Sequence, residues 1–321
     1  MAIDEEPKKS REETKTCVHQ LYRGPRPRSE GPLLVSDFLT LKDDDNDGVI
    51  MGIDEAGRGP VLGPMTYAAA YWREGETIPK GYNDSKQMNA VTRSKLFAAT
   101  LDSPSIGFVI RVLHATEISQ CMLRKTTYNL NSMSHDAAMQ MVRAVLNMGV
   151  KIKKCYIDTV GREDVYKAKL DRAFAGCDVE FIVEKKADAK YVQCSAASVL
   201  AKVTRDRIIE NWSFTEPHFD TTLDFGSGYP SDPKCKEWMS KNLQDPVFGY
   251  PDLVRFSWAP AKDALNRNAV SVEWEADEED DEFERSAMAA FMAGDSSSNK
   301  KPRMAYFDSH KLERVVALQT K

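Results

Sequence analysis

Residues 52–64, GIDEAGRGPVLGP, decide how this chain folds. They begin inside the apolar run VIMGI (49–53), which is typical of a buried strand, and Asp54 and Glu55 stand where that strand ends. Two adjacent carboxylates at the end of a buried strand are unfavourable unless a positive group lies beside them. The pair therefore raises the question of a cation site at this edge of the predicted sheet.

Two further stretches place single acids at comparable positions. In YIDTVG (156–161), Asp158 lies within an apolar strand, and Asp188 follows the strand VEFIVEKK (179–186). In an open α/β sheet, strand ends at one edge together build a site. Carboxylate oxygens suit hard cations such as Mg²⁺ or Mn²⁺ better than zinc. A lone Asp at a strand end is more often a turn or cap residue, so spacing alone leaves both interpretations open.

Two glycine-rich turns offer contacts of another kind. The turn Gly57-Arg58-Gly59 carries little side chain, so its main chain can approach a ligand as small as a ribose 2′-hydroxyl. In DFGSGYP (224–230), Tyr229 is placed to stack on a sugar or base and to donate its hydroxyl group. The alternatives are a plain turn into the next strand and a tyrosine that only packs, and the local sequence does not exclude them.

Two familiar motifs fit less well. The glycines of GRGPVLG (57–63) resemble a dinucleotide fingerprint, but the third glycine is displaced and a strand, not a helix, is predicted to follow. The acidic run DDDNDG (43–48) fits much of a calcium-binding loop, with Asp54 at the twelfth place where glutamate is expected. No helix is predicted after it, so a solvated acidic turn is the favoured interpretation.

Composition is that of a soluble globular protein without a membrane span or a secretory signal. The net charge is −5, and the residues after Val270 account for it with 12 acidic and 7 basic side chains. The rest of the chain is neutral, which neither supports nor excludes a nucleic-acid partner. Six scattered cysteines without a C-x-x-C pair indicate reduced thiols and an intracellular compartment.

The order of predicted elements divides the chain into five parts. An opening pair of strands followed by alternating strands and helices predicts an α/β fold with a mixed sheet and helices on both faces. Within it, VTRSKLFAATL (91–101) is predicted to be a helix capped by Thr92. The parts are a polar, disordered extension (1–47), a catalytic domain (48–231), a small helical subdomain (232–265), an acidic linker (266–303) and a hydrophobic segment suited to docking on a partner (304–321).

Six blocks of the sequence together resemble type 2 ribonuclease H, and in detail the catalytic subunit of its eukaryotic members. They occur in the family's order over about residues 48–265: GIDEAGRGPVLGP, NDSK (83–86), YNLNSMSHDAA (128–138), YIDTVG, KKADAKYVQCSAASVLAKVTRD (185–206) and DFGSGYPSDPK (224–234). The resemblance implies an RNase H-like fold with a five-stranded mixed sheet flanked by helices. It also implies that Asp54, Glu55, Asp158 and Asp188 are catalytic and bind two divalent ions, Mg²⁺ or Mn²⁺.

The implied activity is hydrolysis of RNA in RNA–DNA hybrids and cleavage 5′ of single ribonucleotides in duplex DNA. A two-metal mechanism leaves 5′-phosphate and 3′-hydroxyl ends and needs no protein nucleophile, and His135 is interpreted as structural rather than as a general base. By resemblance, Gly57, Arg58, Gly59 and Tyr229 contact the ribose 2′-hydroxyl at the RNA–DNA junction. Supporting or direct substrate contacts are expected from Lys86, Asn129, Lys202 and Arg205.

The resemblance further implies two non-catalytic partner subunits in a heterotrimer, a nuclear location, and roles in ribonucleotide removal and RNA primer removal. Three rivals are weighed against it. Resolvases and integrases share the carboxylates but not the GRG turn together with GSGYP. A type 3 ribonuclease H differs in its first motif and carries an N-terminal binding domain, which residues 1–47 do not resemble. A non-catalytic binding protein has no use for four acids.

Overall fold

The computed structural model describes residues 33–36, 48–82, 88–126, 128–159, 161–214, 216, 224–243 and 249–270. The strands within these ranges are β1 (Leu33–Val35), β2 (Val49–Ala56), β3 (Met65–Arg73), β4 (Gly107–Leu113), β5 (Ile152–Asp158) and β6 (Glu180–Glu184). The helices are α1 (Ala90–Asp102), α2 (Ala115–Leu123), α3 (Leu130–Asn147), α4 (Glu163–Ala173), α5 (Ala187–Lys190), α6 (Val192–Glu210), α7 (Pro233–Lys241) and α8 (Ala259–Asn268).

The strands form one mixed sheet in the order β1-β4-β3-β2-β5-β6. In this order β1, β4 and β3 are each antiparallel to the next strand. From β2 onward the pairing is parallel, so that β2, β5 and β6 run in the same direction. Each parallel connection passes through helices, as crossovers between parallel strands require. The predicted α/β fold with a mixed sheet is confirmed.

The expected count of five strands is wrong by one edge strand. β1 lies within the segment 1–47 that the sequence predicts to be a polar extension, and it pairs with β4 with Leu34 opposite Ile110. The buried Ser36 hydroxyl donates to Phe108 O at 3.1 Å and accepts from Phe108 N at 2.8 Å. Three apolar residues in polar surroundings carry too weak a pattern to predict a strand. The exposed edge of β4 supplies the missing stabilisation.

Helices cover both faces of the sheet, and alternate residues of β3 divide between two cores. Tyr67, Ala69 and Tyr71 pack with the apolar face of α3. The intervening Ala68, Ala70 and Trp72 pack with α1 and α6. This period of two is what a strand buried on both faces produces. Helix α3 on one face and helices α1 and α6 on the other therefore fix the central strands and the ends of those strands.

Helix α6 approaches β2 unusually closely at Gly52. A Cβ atom placed on Gly52 lies 2.2 Å from Cys194 N, a distance that no packed side chain can tolerate. Cys194 itself is buried, and its thiol donates to Tyr156 O on β5 at 3.3 Å. The glycine thus lets the start of α6 rest directly on the strand, two residues before Asp54.

Helices α7 and α8 form the helical region predicted near the C-terminal end of the catalytic part. α7 begins at Pro233 after Asp232, whose carboxylate accepts from Lys234 N at 2.9 Å. Its Trp238 belongs to a third core that also contains Val61 and Leu62, residues that follow the GRG turn. α8 extends to Asn268, slightly beyond the predicted boundary, and residues from 271 onward lie outside the described ranges.

Two smaller sequence expectations have outcomes here. Thr92 is not the cap of α1, because the cap is Asn89, whose side chain accepts from Thr92 N at 2.8 Å. In the described part of the chain, no helix is long and apolar enough to cross a membrane. Five of the cysteines, at positions 121, 155, 177, 194 and 235, are free thiols, as their scattered spacing predicted.

Candidate active site

The three acidic strand ends lie at one edge of the sheet. β2 and β5 are parallel neighbours with Ile53 opposite Ile157, so Asp54 and Asp158 follow side by side. β6 is parallel to β5 on its other side and ends at Glu184, and the next helix, α5, carries Asp188. The predicted convergence of carboxyl ends is therefore present in the fold. It brings Asp54, Asp158 and Asp188 from three separate stretches to the same edge.

Asp54 and Asp188 are both buried, each with 5% of its surface exposed, and Asp54 has the clearest set of partners. Its Oδ1 accepts the Glu55 N–H at 2.7 Å, and the Ser198 hydroxyl of α6 is also hydrogen-bonded to the carboxylate. Burial raises the pKa of Asp54 well above its ordinary value, and the negative charges of Glu55 and Asp158 raise it further. Ionised Asp54 is thus unstable in the isolated protein, which is the electrostatic condition of a site built to receive positive charge.

A strained residue connects Asp158 to the helix that bears Asp188. Asp158 Oδ1 accepts from Ala187 N at 2.9 Å, and Asp188 is itself buried in α5. Lys186, directly before that helix, has a φ of 59°, and it is the one non-glycine residue with positive φ in the described ranges. This conformation is unfavourable for a residue with a Cβ atom and persists only where the surroundings enforce it. It turns the chain so that Ala187 N faces Asp158.

The donor set at this edge consists of carboxylate oxygens, which suit hard divalent cations. Over the residues that the structure describes, no three His, Cys, Asp or Glu side chains converge closely enough to enclose a metal ion by themselves. An ion bound here would complete its ligand shell with oxygens from outside the protein.

A small open pocket lies beside the carboxylates. Tyr67, opposite Glu55 in the sheet, forms part of its wall, and burial together with the Glu55 charge raises the pKa of that phenol well above its ordinary value. Arg58 reaches across to α3, where it donates to Ser134 Oγ at 2.8 Å and to Asn131 Oδ1. The residues lining the pocket are Glu55, Arg58, Tyr67, Asn131, Ser134, His135, Asp158, Thr159, Gly161 and Tyr166.

The Tyr229 ring lies beside the GRG turn. A Cβ atom on Gly59 lies 3.1 Å from the Tyr229 ring, and 45% of Tyr229 is exposed. The loop that carries Tyr229 is fixed because Gly228 O accepts from Val61 N at 2.9 Å. An exposed aromatic ring beside a glycine turn is a surface suited to stacking on a sugar or base.

The sequence profile of the Ribonuclease HII family matches residues 51–261, which contain all of these features.

The chain belongs to the ribonuclease HII family.

Similar proteins and a similar solved structure support this family assignment. The chain is 41% identical to the A subunit of ribonuclease H2 from Rattus norvegicus over 275 residues, covering 84% of this chain and 90% of that protein. It is 42% identical to the Arabidopsis thaliana protein of the same name over 235 residues, covering 72% and 78%. The crystal structure of ribonuclease H2 from Pyrococcus horikoshii matches with a TM-score of 0.53 and 32% identity, covering 68% of this chain and 98% of that one. This ribonuclease HII family member is therefore a ribonuclease H, a hydrolase.

The four residues to which the resemblance assigns supporting or direct substrate contacts do not share one environment in this family member. Lys86 lies outside the described residues. Asn129 caps α3, with its side chain accepting from Ser132 N at 3.0 Å. Lys202 pairs with Asp206 one turn along α6 at 2.6 Å. Buried Arg205 donates to Leu62 O at 3.1 Å and to Pro64 O at 3.2 Å, so it supports the main chain after the GRG turn.

Sequence reasoning missed Arg255 and Trp258, which both contact the GRG turn. The available signal was a single arginine within the otherwise apolar stretch FGYPDLVRFSW (248–258). Such a residue is rarely buried without a specific set of acceptors. Ser198 was also missed, because one serine among several in SAAS (195–198) carries no pattern of its own.

His135 remains neutral in this family member, and we expect it to contribute to pH-dependent stability rather than to catalysis. Its ring stacks on Tyr166 at 3.8 Å, and burial, followed by the charges of Lys169 and Arg58, lowers its pKa to about 4. Between about pH 6.5 and 4 the unfolded chain binds a proton at this position that the folded chain does not. The free energy of unfolding therefore falls as the pH is lowered from about 6.5 to 4.

The test replaces His135 with Phe, which keeps a stacking ring. Thermal unfolding measured from pH 8 down to pH 4 should show wild type losing more stability than His135→Phe, because the variant lacks the unfavourable titration. A pH–rate profile that loses a limb near neutral pH in His135→Phe would instead identify the histidine as a catalytic base.

Proposed function

We propose that this ribonuclease HII family member hydrolyses RNA in RNA–DNA hybrids and cuts 5′ of single ribonucleotides in duplex DNA, leaving 5′-phosphate and 3′-hydroxyl ends. The observation that supports this is the contact of the Tyr229 ring with Gly59, beside the edge that carries Asp54. A ribose lying against the turn has its 2′-oxygen within reach of main-chain atoms, and Tyr229 covers the neighbouring sugar. The proposed cleavage removes single ribonucleotides and RNA primers from DNA.

The proposed catalytic groups are Asp54, Glu55, Asp158 and Asp188, and they are also the proposed ligands of two divalent ions, Mg²⁺ or Mn²⁺. The fit rests on donor chemistry and charge: the set is all oxygen, and buried Asp54 has a raised pKa that a bound cation would lower. Two bound ions supply activation of a water and neutralisation of charge on the phosphate and on the departing oxygen. Ser198 and the Glu55 N–H orient Asp54, and Ala187 N orients Asp158.

Recognition is assigned to the remaining groups at this edge. Gly57, Arg58 and Gly59 present main-chain atoms to the 2′-hydroxyl, and Arg58 stays fixed because Ser134 accepts from its guanidinium group. Tyr229 stacks on the adjoining deoxyribose and offers its hydroxyl group. A lone 2′-hydroxyl is a weak signal, since one hydrogen bond contributes only about 0.5–1.5 kcal/mol. Selectivity therefore demands a rigid turn rather than more contacts.

The name that the relatives share, which makes each of them one subunit of ribonuclease H2, supports a proposal about assembly. We infer that the chain works in a heterotrimer with two non-catalytic subunits, in the nucleus, and that residues 304–321 dock on a partner. A chain that ends before residue 304 should fail to co-purify with the two partners. Recovery of the intact trimer with that truncated chain would refute the docking role of the segment.

Three end-labelled duplexes test the proposed function: all-DNA, DNA with one ribonucleotide, and a long RNA–DNA hybrid. Each is incubated with Mg²⁺ or with EDTA, and partner subunits are added if the chain alone is silent. We expect metal-dependent cutting of the second and third duplexes only. Cutting of the hybrid alone would favour a type 3 activity and contradict the roles of Tyr229 and the GRG turn. Silence on all three, with partners present, would favour a non-catalytic binding protein.

Tyr229 should matter more for the single ribonucleotide than for the hybrid. We expect Tyr229→Ala to lower kcat/KM on the single-ribonucleotide duplex by roughly 10–100-fold, since stacking on one base or sugar contributes about 1–3 kcal/mol. Tyr229→Phe keeps the ring and should lose less. The ring is half exposed, so neither variant should change the Tm appreciably. Equal losses on both substrates would contradict a role in recognising the junction.

A further inference from the structure

The carbonyl groups of the GRG turn are held by two side chains from far along the chain. Arg255 Nη2 donates to Gly57 O at 2.6 Å, and Arg255 Nη1 donates to Arg58 O at 3.0 Å. Trp258 Nε1 donates to Gly59 O at 3.1 Å. Every carbonyl of the turn thus has a donor from the region just before α8. These donors fix the orientation of the three peptide units, and with it the directions in which their N–H groups point.

Arg255 is itself held rigidly. It is fully buried, its Nε donates to Gly63 O at 2.9 Å, and its guanidinium carbon lies 4.8 Å from the centre of the Trp258 ring. All of its side-chain hydrogen bonds to described residues end on main-chain carbonyls. Burial, and then the charge of Arg205, lower its pKa to about 9. A buried cation is unfavourable unless its donors are satisfied, and the three carbonyl acceptors satisfy it here.

The main chain around Arg255 is fixed to the same segment. Gly63 N donates to Leu253 O at 2.7 Å, and Arg255 N donates to Val61 O at 2.9 Å, with Leu62 opposite Val254 in an antiparallel bridge. The apolar side chains of both segments share the core formed with α7. The position of Arg255 relative to the turn is therefore set by backbone pairing, and its planar fork of donors determines where the carbonyls lie.

We propose that Arg255 and Trp258 are positioning residues that hold residues 57–59 by their carbonyl groups, so that recognition of a ribonucleotide depends on them although neither contacts it. The inference rests on the proposed function of the turn. Lysine retains the charge of Arg255 but cannot donate to three carbonyls in one plane. Phenylalanine retains the ring of Trp258, against which the guanidinium packs, and removes only the donor to Gly59.

The experiment compares wild type, Arg255→Lys, Trp258→Phe and a control, Arg267→Lys, whose side chain is exposed on α8. Each full-length chain, assembled with its partners where activity requires them, is assayed for kcat and KM on the single-ribonucleotide duplex. Binding of that duplex and of the all-DNA duplex is measured in EDTA, and the Tm is recorded. The Kd for the all-DNA duplex divided by the Kd for the single-ribonucleotide duplex gives the preference for the ribonucleotide.

We expect Trp258→Phe to lower the preference and kcat/KM about three- to tenfold, and Arg255→Lys about tenfold or more, as loss of one or of several hydrogen bonds predicts. Arg267→Lys should match wild type. Because Arg255→Lys can fail to fold, Trp258→Phe with an unchanged Tm is the deciding variant. A folded Trp258→Phe with wild-type preference, or with equal loss of binding to both duplexes, would overturn the inference. A wild type without preference would instead refute the proposed function on which it rests.

Discussion

Replacing Asp54 with Asn should abolish cleavage while leaving the protein at least as stable as wild type. The carboxylate is buried, and burial, Glu55 and Asp158 all raise its pKa, so its ionised form destabilises the folded state. Asparagine has nearly the same shape, and its carbonyl oxygen can still accept the Glu55 N–H. It removes the negative charge that a divalent cation requires. We expect kcat to fall by roughly 10³-fold or more, about 4 kcal/mol of transition-state stabilisation.

The measurement pairs a cleavage assay in Mg²⁺ with thermal unfolding in EDTA at pH 8. Asp171→Asn is the matched control, because that acid is exposed on α4 and pairs only with Lys167 on the surface among described residues. The control should keep full activity. If Asp54→Asn loses activity together with a Tm drop of many degrees, the loss reflects unfolding, and the assignment of Asp54 as a metal ligand is not supported. Full activity in Asp54→Asn would refute that assignment outright.

Replacing Gly52 with Ala should be among the most destabilising single-methyl changes in the chain. The new Cβ atom would lie 2.2 Å from Cys194 N and from the Gln193 carbonyl carbon, which are main-chain atoms at the start of α6. Neither the central strand β2 nor α6 can move without disturbing both cores. We expect a loss of about 3 kcal/mol, the upper part of the range for overpacking. That corresponds to a Tm lower by roughly 6–12 °C.

Gly161→Ala is the control for this change. Gly161 lacks a positive φ, and an added Cβ atom would meet nothing nearer than Thr159 Oγ1 at 3.9 Å. Chemical denaturation of both variants measures the difference in free energy of unfolding. Similar midpoints for Gly52→Ala and Gly161→Ala would mean that α6 does not rest on β2 as closely as described. Loss of activity in folded Gly52→Ala would follow from a shifted Asp54, since the two residues share the strand.

Local sequence patterns predicted the central strands and the long helices because each depends on its own periodicity. β2 begins with the continuous apolar run VIMGI, β5 follows from the apolar residues of KKCYIDTV (153–160), and α6 follows from SAASVLAKVTRD (195–206). The same patterns placed Asp54, Asp158 and Asp188 at strand ends, which parallel pairing then brings to one edge. What periodicity did not predict was β1, because three residues at an edge are stabilised by their neighbour rather than by their own pattern.

The positions of the supporting side chains were also beyond local patterns. For Arg205 the sequence left structural support and direct substrate contact both open, and only the fold shows that its guanidinium group ends on carbonyls 62 and 64 inside the protein. Arg255 and the GRG turn are separated by nearly 200 residues, and long-range backbone pairing of residues 61–63 with residues 253–255 brings them together. The αL backbone of Lys186 has no sequence signal either, since glycine or asparagine is the usual marker of that conformation.

Mapping the ends produced from a duplex with one embedded ribonucleotide tests the central claim most directly. With Mg²⁺, we expect a single cut on the 5′ side of the ribonucleotide, a 3′-hydroxyl group on the upstream DNA and a 5′-phosphate on the ribonucleotide, and no cut in EDTA. These ends identify an external water as the nucleophile, and the loss of cutting in EDTA tests the need for a divalent ion. A cut on the 3′ side that leaves a 2′,3′-cyclic phosphate would mean that the 2′-oxygen itself attacks, and a cut that persists in EDTA would mean that no divalent ion is needed. The first result would contradict the recognition role of the GRG turn, and the second would contradict the metal site.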